Sequence, residues 1–156
     1  MAFLRTVGLL LTLWALDLLL LVLLPGARMV LDPLLLFLLF QGAHSPSQRF
    51  LWMQGVGLGL LKDSYAATLF GGWVCAYAGV GWMIHASRHW VEWDDPVIVA
   101  ALAGILSALA GVIFGAVLMA ADPALGWRHF PAGLLLARIP VHAAAVFWGL
   151  PLARKK

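Results

Sequence analysis

Apolar residues run through this chain in long stretches, and the few polar positions between them divide it into six segments. Leucine-rich sequence fills residues 3–24 and stops at Pro25-Gly26. A second run at 29–41 opens with Asp32-Pro33, an arrangement suited to a helix start: proline needs no N–H partner in the first turn, and the preceding aspartate caps it. The glycine- and serine-bearing stretch after Gln41 reads as a loop. From Phe50 to Ala86 the apolar pattern is too long for one helix. Lys62-Asp63-Ser64 offers the only polar turn within it, so helices are expected at 50–62 and 66–86. Pro96 opens a fifth helix over 96–120, and a sixth covers 132–150, interrupted by Arg138 and Pro140.

Composition turns this pattern into a fold class. The chain has 156 residues, of which 63% are hydrophobic and 11% charged, and its mean hydropathy is +0.97. A soluble domain of this size has too little interior for so much apolar surface. The expectation is an all-α integral membrane protein, one domain of about six transmembrane helices at about 20 residues per crossing. The first run is too long for a signal-peptide core and lacks a small-residue cleavage site, which favours an uncleaved first helix. With six helices, Arg5, Arg49, Arg88, Arg154, Lys155 and Lys156 share one side, against Arg28, Lys62 and Arg128 on the other. The positive-inside bias therefore places both termini in the cytoplasm. The net charge of +3 carries no implication of nucleic-acid binding in such a chain.

Ionisable residues inside apolar segments are the candidates for function, because a charge at that depth is costly. They are Asp17, Arg138 and the Lys62–Asp63 pair, with His85 and His142 near helix ends. Asp17 on the first helix and Arg138 on the last either pair with each other or reach an interface separately by extending their side chains. No G-x-S-x-G or H-E-x-x-H motif occurs. His85 and His89, at i and i+4, have a metal-ligand spacing but no convincing third ligand, and Glu92, Asp94 and Asp95 read as a solvated acidic loop. Cys75 is the lone cysteine, so no intramolecular disulfide forms, and it reads as a small packing residue. No metal, cofactor or catalytic set is expected.

Two small-residue patterns point instead to helix packing. Gly104, Ala108, Gly111 and Gly115 form a stripe along the fifth helix, suited to close approach by another helix of the same bundle or of a partner. Gly55, Gly59, Asp63 and Gly71 form a G-x3-G-x3-D-x7-G pattern whose first three members share one helical face.

Together with Pro33 and its leucine run, that second pattern resembles the rod shape-determining MreD family of bacteria. Gly55 and Gly59 stand eight and four residues before Asp63, and Gly71 eight after. Pro151 and the basic ending fit as well. The chain departs from the family at Ala66 and Ala67, where a further glycine or serine is usual. The resemblance implies a non-enzymatic inner-membrane adaptor of the cell-wall elongation machinery. Its partners would be the bilayer, an MreC-type single-span protein, a RodA-type polymerase and its transpeptidase, with a homodimer as a further arrangement. It also implies a fold similar to the S components of energy-coupling-factor vitamin transporters, and such a substrate-binding component is the alternative function. Against it, the first helix lacks their A-x-x-x-A coupling pair. A membrane-embedded lipid enzyme is a third class, suggested only by the loop at 85–95.

Overall fold

The computed structural model describes residues 2–23, 31–44, 48–66, 70–93, 95–122 and 132–154. Among these there are six α-helices and no strand: α1 (Ala2–Leu23), α2 (Pro33–His44), α3 (Gln48–Asp63), α4 (Gly72–Ser87), α5 (Pro96–Ala121) and α6 (Ala132–Arg154). One of them, Pro96–Ala121, is long and apolar enough to cross a membrane, and shorter apolar helices occupy Val7–Leu23 and Pro33–Ala43. The expectations placed on Arg28, Ala67, Asp94, Arg128, Lys155 and Lys156 lie outside the described residues.

Two antiparallel hairpins, α3–α4 and α5–α6, make the most extensive helix contacts, and α4 packs on α5 to join them. Helix α2 touches both hairpins as well as α1. It is almost completely enclosed: Leu34, Leu35, Phe37, Leu38 and Leu39 are all buried. That explains how a helix of only 12 residues holds its place, since tertiary burial rather than length stabilises it. Asp32 lies against Tyr77 and Arg138, while Gly42 meets Ile84 and Gly149 meets Phe40. Helices α2, α4 and α6 are therefore parallel, and residues near their N-terminal ends share one level of the bundle.

The α3–α4 seam is built on glycine. A Cβ on Gly55 would stand 2.5 Å from the carbonyl oxygen of Tyr77, one on Gly59 2.7 Å from that of Trp73, and one on Gly81 2.8 Å from that of Leu51. Backbones this close leave no room for a side chain. On α5, Gly104 plays the same part against the carbonyl of Ile139 in α6. Gly111 and Gly115 are also buried and Ala108 is half-buried, so this stripe faces into the chain's own bundle.

Helix boundaries depart from expectation chiefly at α4, which starts at Gly72 rather than Ala66. The Asp63 carboxylate accepts hydrogen bonds from the backbone N–H groups of Gly71 (2.9 Å), Trp73 (3.1 Å) and Val74 (3.2 Å). These are orphan donors of the first turn, so α4 begins where Asp63 can reach. Gly71, with φ of +97°, makes the left-handed step into it, a conformation cheap only for glycine. Helix α6 continues through Pro140 and Pro151 to Arg154, four residues beyond the expected end.

Candidate functional site

Asp32 is the centre of a buried polar cluster formed where the N-terminal ends of α2, α4 and α6 share a level. Its local role is the expected one: Pro33 starts α2, and Asp32 Oδ1 accepts from the N–H of Leu35 at 3.1 Å. The carboxylate then does more. Tyr77 donates its hydroxyl to Oδ1 at 2.6 Å, while Oδ2 receives both Lys62 Nζ and, at 3.2 Å, Arg138 Nη2. One carboxylate thus binds a cation from each hairpin. Breaking such a contact would strand a charge away from water.

Lys62 turns inward from the last turn of α3 and is 1% exposed. Besides Asp32, its ammonium donates to the Tyr77 hydroxyl at 3.1 Å and lies 4.0 Å from Asp17 Oδ1. It also sits 4.4 Å above the Trp73 ring, a cation–π geometry. Trp73 is in turn stacked on Phe114 of α5, centroids 4.2 Å apart. Asp17 accepts a short hydrogen bond from the hydroxyl of Tyr65. Among the α1 side chains described, Asp17 is the only one fully buried. Lys62 and Asp63, adjacent in sequence, therefore serve different purposes: one binds the cluster, the other caps the next helix.

His142 closes the cluster on the α6 side. Its Nε2 accepts from the backbone N–H of Asp32 at 3.3 Å, and its Nδ1 faces the carbonyl of Arg138 at 3.1 Å. Only a neutral ring protonated on Nδ1 satisfies both contacts. Among the described residues of the cluster, Asp17, Asp32, Lys62 and Arg138 contribute two negative and two positive charges.

Asp17 and Arg138, read as either a pair or two separate interfacial charges, belong to one buried cluster, but the ion pair that Arg138 makes is with Asp32. Arg138 binds Asp32, and Lys62 stands between the two carboxylates. Asp32 is within reach of both cations, and Lys62 lies between it and Asp17.

The remaining candidates sit elsewhere. His85 and His89 stack edge to face with centroids 6.1 Å apart, and no group of three His, Cys, Asp or Glu residues is placed to hold a metal among the described residues. Glu92 is exposed, while Asp95 caps α5, its Oδ1 accepting from Val97 N–H at 2.7 Å. Cys75 is exposed rather than packed inside. Tyr65, Tyr77 and Trp73 were not singled out by sequence reasoning. Their signal was present but weak: the chain's only two tyrosines both follow the Lys62–Asp63 pair, at positions 65 and 77. No family model, curated protein or solved structure matches this chain.

Proposed function

We propose that this protein is a non-enzymatic adaptor of the MreD type, embedded in the bacterial inner membrane with both termini in the cytoplasm. In this reading it is a six-helix membrane bundle, similar to the S-component fold, that binds an MreC-type protein and associated wall synthases through its outer helix faces. The observation that carries the reading is the use made of the residues behind the resemblance. Pro33 starts the central helix, Gly55 and Gly59 bring two backbones together, and Asp63 with Gly71 starts the next helix. All five build the scaffold, as an adaptor requires.

Membrane placement draws support from the surface. Leu9, Leu11, Leu19, Val22, Ile105 and Leu136 are each more than half exposed, the distribution expected where lipid is the solvent. Trp52, Trp82, Trp90 and Trp148 are also exposed. They lie toward the end of the bundle that holds the α2–α3 and α4–α5 connections, as interfacial tryptophans do.

Gentle detergent extraction from native membranes, followed by identification of bound proteins, tests the proposal. Recovery of a single-span periplasmic protein or of wall polymerases is expected. Recovery of paired ATPases with a coupling subunit would overturn it in favour of vitamin uptake.

A further inference from the structure

We propose that His142 is a proton-operated clasp that holds α6 against the N-terminal end of α2. The imidazole is wholly buried, and backbone groups of two different helices engage its two nitrogens. Nδ1–H donates to the carbonyl one turn earlier in its own helix. The lone pair on Nε2 receives the N–H of Asp32, so this nitrogen, the one still able to take a proton, is also the one that grips α2. Protonation would set two N–H groups against each other. Proton uptake and the α2–α6 contact therefore exclude one another.

The surrounding charges sharpen the choice. Arg138 lies one turn away on the same helix, and Asp32 faces the ring from α2. Beyond Asp32 come Lys62 of α3, Tyr77 of α4, and Asp17 of α1 with Tyr65. Helix α5, which packs along α6, has no ionisable side chain over its length. The carboxylate nearest the ring is already committed, its oxygens taken by Lys62, Arg138, Tyr77 and the Leu35 N–H. A proton on His142 would thus add a third cation beside Lys62 and Arg138, buried away from bulk solvent and next to a carboxylate whose contacts are already taken. Separating α6 from α2 relieves both the lost hydrogen bond and the excess charge. By linkage, the clasp holds above the ordinary histidine range of about pH 6.5 and loosens as pH falls below it. The clasp is a property of the fold and does not depend on the adaptor reading.

The test uses the whole chain purified in detergent. Nitrogen-15 NMR of the histidine rings should show His142 neutral at about pH 7.5, with the proton on Nδ1. A proton on Nε2 under those conditions would overturn the proposal. Hydrogen exchange of peptides covering residues 136–146, corrected for intrinsic chemical rates, is then compared at about pH 7.5 and about pH 5.5. In the wild type a rise of up to about tenfold is expected, one unit below the histidine range. His142→Gln keeps an acceptor near the Nε2 position but cannot titrate, so its exchange should not respond. An equal response in both proteins, or none in the wild type, defeats the idea. The ring spectra and the wild-type exchange decide the matter even if the variant fails to fold.

Discussion

Asp32 and Arg138, separated by 106 positions, meet at 3.2 Å in the interior of the bundle, and the same carboxylate oxygen also receives Lys62. A single residue therefore joins the α3–α4 hairpin to the α5–α6 hairpin electrostatically. Removing it should be more damaging than removing either cation. Asp32→Asn leaves two buried cations around a neutral amide, and the expected loss is about 3–5 kcal/mol of unfolding free energy. The double variant Asp32→Asn/Arg138→Gln should lose less than the sum of the singles, with a coupling of about 0.5–3 kcal/mol. Denaturant titration in mixed micelles measures both; additive losses would remove the pairing.

Lys62 is held by geometry as well as charge. Its compact ammonium fits between Asp32, Tyr77 and the face of Trp73, and a planar guanidinium is larger and forks its donors. Lys62→Arg keeps the charge yet should cost about 1–3 kcal/mol through overpacking. Wild-type thermal stability in that variant would mean the cage is roomier than the distances imply.

Helix α3 supplies its own control for the glycine seam. Gly59→Ala drives a Cβ into the α4 backbone, whereas a Cβ at Gly57, two residues earlier, meets nothing within 4 Å. The first substitution should destabilise by about 1–3 kcal/mol. The second should be neutral or slightly stabilising, by up to about 1 kcal/mol from helix propensity alone. Parallel melting curves for the two variants decide whether the seam is as tight as described.

Capping of α4 by Asp63 makes a graded prediction. Asp63→Ala abandons three backbone donors and should cost about 1–2 kcal/mol. Asp63→Asn retains one acceptor oxygen and should fall between Ala and wild type. Hydrogen exchange at Trp73 and Val74 provides the local readout, and protection unchanged in the alanine variant would exclude the cap.

What the sequence revealed and what it hid divide along a physical line. Spacing within one helix is set by local geometry, so the Gly55–Gly59–Asp63 face could be read directly. The Asp32-Pro33 start and the glycine stripe on α5 were legible for the same reason. Partner choice between helices depends on depth and register, which no local pattern encodes. Asp17 and Arg138 were both recognised as interior charges, yet the packing of α2 against α6 brings Arg138 to Asp32. His85 and His89, with a suggestive spacing, lie far from the cluster. His142, without one, completes it. The start of α4 was misplaced because it depends on a side chain reaching forward across the turn, an interaction that hydrophobic periodicity does not register.

The order in which the charges are synthesised gives the cluster a temporal meaning. Asp17 and Asp32 emerge first, Lys62 next, and Arg138 only after α5 is complete. Until α6 is made, the Asp32 carboxylate lacks its Arg138 contact and the N–H of Asp32 lacks its histidine acceptor. Chains that stop before α6 therefore leave the polar cluster incomplete. Helix α6 supplies the groups that complete the cluster.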